Sequence, residues 1–236
     1  MPRRLLSARS FTSMSSIAYW DNFYKHPSRA SSSFDWFDVD SAHSSSIETV
    51  CAAVSPPASA APLRVLHIGA GTSVLCEALH EALPTGSMLV HADYSEIAAA
   101  ALEERLGDTL AVDAHRVVQS DVRSMTLGSL GVDEPFDVVV DKGCIDVFVH
   151  GHDDKGFAQA LSSIREVLGR GGEEGGGRYV MITNDSVDCR LDMLLDAGGA
   201  KMFHLGEMTT RQLEGGGVEV NLLQVRARAG VALQRR

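Results

Sequence analysis

The chain has 236 residues, 44% of them hydrophobic, 22% charged and 6% aromatic, which is enough for one sizeable core and favours a single domain. Its formal net charge of -10 argues against a nucleic-acid surface spread over the whole molecule, because phosphate affinity rests on clustered Lys and Arg. Cys51, Cys76, Cys144 and Cys189 form no CxxC pair, so reduced thiols are expected rather than disulfides or a zinc site.

Along the chain, residues 1–14 carry Arg3, Arg4 and Arg9 among serines, and no acidic residue precedes Asp21. That chemistry suits a mitochondrial presequence; a basic arm in a cytoplasmic protein is the alternative. No apolar run approaches the roughly 20 residues of a bilayer span, so no membrane insertion is expected. Residues 15–62 hold an aromatic cluster (Tyr19, Trp20, Phe23, Tyr24, Phe34, Trp36 and Phe37), a Ser-rich piece and an Ala/Pro linker.

The main pattern, over 63–228, begins with an apolar strand at 63–68 that ends in Gly69-Ala70-Gly71. A helix over 74–83 is stopped by Pro84, which lacks an amide donor. A strand at 88–93 follows, then a helix capped by Ser95 that runs to about 106 before Gly107. Strands are predicted at 115–119 and 136–140, the latter a continuous apolar run of the kind buried in parallel sheets. A helix over 154–168, a strand over 178–183 and a helix over 187–197 come next. Two closing strands, at 202–205 and 218–225, are joined by a Gly-rich turn. Strands alternating with helices imply right-handed crossovers and a mostly parallel α/β sheet with helices on both faces. The closing pair implies an antiparallel hairpin at its edge. The Gly-rich stretch over 169–177 lacks a Lys-Ser/Thr ending and is no phosphate loop.

Four features sit at strand ends. Glycines at Gly69 and Gly71 allow a sharp bend and close approach to a ligand; Val74 replaces the third glycine of a full dinucleotide fingerprint. Asp93 lies 22 positions after Gly71, where a carboxylate accepts ribose hydroxyls of NAD or S-adenosylmethionine, or caps the next helix. Asp121, with the amide of Val122, is placed to read adenine. Asp141-Lys142-Gly143-Cys144-Ile145-Asp146 ejects charge from an apolar strand, which is costly without a purpose; a solvated loop capped by Asp141 is the alternative. His150-Gly151-His152-Asp153-Asp154 lacks a distant third ligand, so no metal is expected.

Tyr19-Trp20-Asp21-Asn22-Phe23-Tyr24, Phe34-Asp35-Trp36-Phe37, the glycine turn, Asp93-Tyr94-Ser95, Ser120-Asp121-Val122-Arg123 and Asp141-Lys142-Gly143 occur in that order. The series resembles the seven-β-strand protein-lysine methyltransferases that modify elongation factor 1-alpha or citrate synthase. The resemblance implies a class I methyltransferase, Rossmann-like fold, S-adenosyl-L-methionine as cofactor and a protein substrate bearing a target lysine. It further implies that Trp20, Tyr24 and Trp36 cover the cofactor, Gly69 approaches its methionine part and Asp93 its ribose. Tyr94, Asp121 and Val122 would hold the adenine, and Lys142 would lie near the cofactor. Ala70 and Cys144 depart from the pattern, where cysteine and threonine are usual. Asp141 or Asp146 is the candidate group for orienting the incoming ammonium. A small-molecule methyltransferase and a catalytically silent binding module are the competing readings. Residues 184–191 and the basic start favour citrate synthase and the mitochondrial matrix.

Overall fold

The computed structural model describes residues 14–26, 45–55, 61–107, 115–169, 176–213 and 220–228. Its strands, in chain order, are β1 (Arg64–Ile68), β2 (Met88–Asp93), β3 (His115–Gln119), β4 (Val138–Lys142), β5 (Arg178–Thr183), β6 (Thr209–Leu213) and β7 (Val220–Arg226). They form one sheet of order β3-β2-β1-β4-β5-β7-β6. The first five strands are parallel, and β7 runs antiparallel to both β5 and β6. The helices are α1 (Ile17–Tyr24), α2 (Ser45–Val54), α3 (Leu75–Ala82), α4 (Glu96–Leu106), α5 (Asp146–His150), α6 (Asp154–Val167), α7 (Val187–Asp196) and α8 (Gly199–Met202).

Alternation along the strands separates two apolar layers. Val65, Leu89, Val138, Val140 and Ile182 pack with Leu75 and Leu79 of α3 and with Val50 and Val54 of α2. Leu66, Ile68, Val90, Val139 and Met181 face Phe157, Leu161 and Ile164 of α6. Both faces of β4 are therefore covered, which is why its apolar run is continuous.

Three sequence expectations shift. The helix α2 forms where a Ser-rich piece was expected, because Ile47, Val50, Cys51 and Val54 recur at helical spacing. Arg178 donates to the carbonyls of Ala53 and Val54 and so satisfies the end of that helix. Helix α2 thus packs into the core layer ahead of residue 63. Residues 202–205 are not a strand: Met202 ends α8, Leu205 opens a 3-10 turn (Leu205–Glu207), and Phe203 makes only an isolated bridge to Ala227. The outer strand of the hairpin is β6, whose Thr209, Thr210, Arg211 and Gln212 are exposed. An edge strand facing water needs no apolar pattern and is better protected without one. Strand β4 begins at Val138, with Phe136 bridging Leu168 just outside it.

Trp36, residues 1–13 and the readings on 27–44, 56–60, 170–175 and 214–219 lie outside the described residues. Among the described residues, no helix is long and apolar enough to cross a membrane.

Candidate functional site

A pocket opens at the carboxyl ends of β1, β2 and β4, where the strand order reverses on either side of β1. Open α/β sheets bind ligands at such a switch point. The glycine turn after β1 forms one wall. Gly69 and Gly71 both have positive φ, 60° and 53°, a region that side chains with Cβ rarely adopt. Each is also closely covered. A Cβ on Gly69 would lie 2.5 Å from Cys144 Cβ, and one on Gly71 would lie 2.5 Å from the Tyr24 hydroxyl. The glycines thus let the loop after β4 and the N-terminal helix α1 close against the turn. Sequence spacing gave no hint of that second use.

Asp93 ends β2 beside this turn. Its Oδ2 accepts the Gly71 amide and its Oδ1 the Ser95 amide, both at 2.8 Å. Burial pushes its pKa up to about 6, against the amides of Ser95, Gly71 and Tyr94, which favour the ionised form. Ser95, not Asp93, caps α4 by accepting from the Ala98 amide. With about four lone-pair sites on the carboxylate, these amides leave room for Asp93 to accept a ligand hydroxyl.

At the end of β3, Asp121 is engaged by a residue the motif contained but whose role the sequence did not reveal. The Arg123 guanidinium donates to both Asp121 oxygens, at 2.7–3.1 Å, and the Arg123 amide donates to Oδ1 at 2.9 Å. Burial would raise the Asp121 pKa, but these bonds outweigh it and hold it below the usual value. Arg123 also donates to the Tyr94 hydroxyl at 3.0 Å and lies over the Tyr94 and Phe148 rings. Asp121, Val122 and Tyr94 all line the pocket, with Ile68, Ala92 and Met125 as apolar neighbours. The Asp121 carboxylate is occupied in positioning Arg123, which leaves the Val122 backbone as the hydrogen-bonding edge.

After β4, the charged run divides. Lys142 lines the pocket, and its Nζ donates to Ser73 Oγ at 2.7 Å. Asp141 and Asp146 do not reach the pocket lining; both turn beneath it. Asp141 accepts from the Tyr179 hydroxyl at 2.7 Å and from the Cys144 amide at 2.8 Å. Burial, and then repulsion from Asp146, raise its pKa to about 7. Asp146 forms a buried ion pair with Arg190 and accepts from the Thr183 hydroxyl. Burial opposes charge on Arg190, and Asp146 and Asp185 outweigh it. The structure thus places both aspartates, expected to meet an incoming ammonium, with buried partners rather than in the pocket lining. A charge ejected from an apolar strand found its partners inside, from β5 and α7. His150 to Asp154 also has a structural use: Asp153 caps α6 by accepting from the Gly156 amide at 2.8 Å.

The pocket is covered by α1. Trp20 and Tyr24 line it, with ring centroids 6.1 Å apart, and Trp20 Nε1 donates to the Met14 carbonyl at 2.7 Å. Met14 is itself buried and belongs to the lining. The helix is anchored by Ser95 Oγ, which donates to Asp21 Oδ1 at 2.6 Å.

No protein-family model matches the chain. Among curated proteins it is similar to the mitochondrial citrate synthase-lysine N-methyltransferase CSKMT of Pongo abelii, 28% identical over 189 residues. The human protein of the same name is 27% identical over 186 residues; each match covers 74% of this chain and 72% of the relative. Among solved structures, magnesium protoporphyrin IX methyltransferase from Synechocystis with bound SAM superposes with a TM-score of 0.61 at 14% identity. That match covers 96% of this chain and 100% of the other. The [4+2]-cyclase SpnF gives a TM-score of 0.63 at 11% identity, covering 91% and 98%. The seven-stranded sheet with its antiparallel edge is thus the class I methyltransferase fold, and the chain resembles the citrate synthase-lysine N-methyltransferases over about three quarters of its length.

Proposed function

We propose that this protein is an S-adenosylmethionine-dependent methyltransferase that methylates a lysine side chain of a protein, with mitochondrial citrate synthase as the acceptor. The observation that carries this reading is one pocket lined together by the glycine turn, Asp93, Asp121-Val122 and Lys142 and roofed by Trp20 and Tyr24. The lining fits a nucleoside with a charged tail: a carboxylate with lone pairs for ribose, a flat apolar space beside a backbone edge for adenine, and a lysine beside the turn. The two relatives named for citrate synthase support the acceptor, and the Arg- and Ser-rich start supports the mitochondrial matrix.

When bound, the cofactor supplies a methyl group on a sulfonium, which a neutral amine takes by direct displacement. The protein's part is to bind, align and keep dry. Asp93 would accept the ribose hydroxyls, and Val122 would present its backbone to the adenine beside Tyr94. Lys142, held by Ser73, would offer a cation to the carboxylate of the amino-acid end. A lysine has an unperturbed pKa of about 10.4, and the apolar, aromatic entrance penalises its charged form. With Asp141 and Asp146 turned inward, neither would take the acceptor's proton, which would leave to solvent. Trp20 and Tyr24 would offer aromatic rings to the sulfonium, an attraction of order 1 kcal/mol or more when dry.

The test is incubation of the purified protein with labelled cofactor and, separately, citrate synthase, elongation factor 1-alpha and a mitochondrial small-molecule extract, with mass spectrometry of labelled products. Label on a citrate synthase lysine is expected. Label confined to small molecules would replace the protein acceptor, and calorimetric cofactor binding with no label anywhere would leave a binding module.

A further inference from the structure

Away from the pocket, three side chains of metal-ligand type meet inside the sheet. His67 on β1 stands directly opposite His91 on β2. Cys76, in the first turn of α3, descends onto the same face. All three are buried, at 0%, 1% and 0% exposure. We propose that His67, Cys76 and His91 bind one transition-metal ion that prefers thiolate and imidazole, zinc(II) or copper(I), tying β1, β2 and α3 together beneath the glycine turn.

The distances carry the proposal. His67 Nδ1 lies 3.3 Å from His91 Nδ1 and 3.7 Å from Cys76 Sγ, and the three donor atoms fall within 4.8 Å of one another. Metal bonds of about 2.0–2.1 Å to nitrogen and 2.3 Å to sulfur, in tetrahedral directions, place two nitrogens roughly 3.3 Å apart and nitrogen and sulfur roughly 3.6 Å apart. Two edges of the triangle already have those lengths.

Hydrogen bonding alone leaves the cluster mismatched. His67 Nδ1 has one hydrogen or one lone pair in the ring plane, yet it faces both a second imidazole nitrogen and a thiol. Its other ring nitrogen, Nε2, is buried without a hydrogen-bond partner. The ion would not reach that nitrogen; what it relieves is the crowding at Nδ1. A metal ion engages all three facing atoms at once.

The protonation states suit this use. Burial, followed by the neighbouring His91 and Lys142, holds His67 well below its usual pKa, and burial lowers His91 to about 3. Both rings are therefore neutral and have lone pairs to give. Burial keeps the Cys76 thiol protonated while no metal is present. Binding would expel that proton to solvent, form one metal–sulfur and two metal–nitrogen bonds, and change no oxidation state. The donors come from two strands and a helix, so the ion would be taken up as the chain folds. Thiolate and imidazole select zinc and copper(I) over magnesium or calcium.

The test uses the full chain, stripped with chelator, and reads metal binding without cofactor or methyl transfer, so its outcome is independent of the proposed activity. Cobalt(II) serves as the spectroscopic probe for the zinc arm; copper(I), under reductant and against a chromophoric chelator, is the second arm. We expect one ion per chain in one arm, with a thiolate-to-metal absorption band and a raised melting temperature. The band should vanish in Cys76→Ala and His91→Phe, with folding confirmed by circular dichroism, and persist in Cys189→Ser, which removes an exposed thiol. Cobalt binding displaced by stoichiometric zinc assigns zinc; uptake in the second arm alone assigns copper(I). Folded wild-type protein that takes up neither ion would overturn the site, as would a band that survives Cys76→Ala.

Discussion

Asp93 braces the turn with the same two oxygens that are proposed to receive the ligand. Its bonds to the Gly71 and Ser95 amides brace the backbone around the pocket, so Asp93→Ala is expected to lower both melting temperature and cofactor affinity. The affinity loss should be roughly 1.5–3 kcal/mol per charged hydrogen bond at most, read by calorimetry on protein shown to be folded. Unchanged affinity would reduce Asp93 to a brace for the turn. Asp141 makes a cleaner experiment. Its folded pKa of about 7 lies above the unfolded value of about 3.9. The folded state therefore binds the extra proton, and this group costs stability increasingly as pH rises from about 4 to 7. Asparagine can still accept from the Cys144 amide while donating to the Tyr179 hydroxyl. Asp141→Asn should accordingly stabilise the fold at pH 8 by as much as about 2–4 kcal/mol, with the gain vanishing near pH 4. A pH-independent difference in melting between the two proteins would show that Asp141 is ionised throughout.

Among the elements, α2 shows how a core helix hides in a sequence. Val54 is fully buried against the sheet, and Val54→Ala should cost roughly 2 kcal/mol in denaturant unfolding without a change in slope. If the loss were below a few tenths of a kcal/mol, α2 would be an appendage rather than part of the core. Its four apolar residues keep helical spacing, but Ser45 and Ser46 at its start made the stretch read as a Ser-rich piece. The inner parallel strands were legible because two-sided burial writes an apolar run into the residues themselves: β2 and β5 fall where the pattern placed them, as does β3 at the parallel edge. The antiparallel edge was not legible. Met202 to Leu205 is apolar because it packs beneath the helices, while the true edge strand is polar because water covers it. The site divided along the same line. Glycines, Asp93, Asp121 and Lys142 stand at strand ends, which chain order reveals. The Asp146–Arg190 pair and the His67–Cys76–His91 cluster join residues from separate elements, and only the crossovers bring them together.

For the molecule as a whole, the last residue assigned to the basic arm is also part of the pocket wall. The sequence suggested residues 1–14, but Met14 is buried in the pocket wall and its carbonyl receives Trp20 Nε1. Deleting residues 1–13 is expected to leave cofactor affinity and turnover in vitro unchanged while abolishing uptake by isolated mitochondria. Extending the deletion through Met14 should weaken cofactor affinity. Loss of turnover in the shorter deletion would place the arm within the enzyme, and undiminished uptake would remove its targeting role.

The bond between Ser95 and Asp21 bears on timing. The Ser95 hydroxyl donates to Asp21 and at the same time accepts from the Ala98 amide. The aromatic helix α1 can therefore swing out without uncapping α4. Departure forfeits this charge-assisted hydrogen bond, about 1.5–3 kcal/mol, together with the contacts that α1 makes through Trp20 and Tyr24. We expect this fastening to set how long spent cofactor stays before the next exchange. Asp21→Asn should shorten that dwell, seen as faster release in stopped-flow fluorescence of the nearby Trp20, while the melting temperature barely moves. An unchanged release rate would mean that the rings alone keep the time.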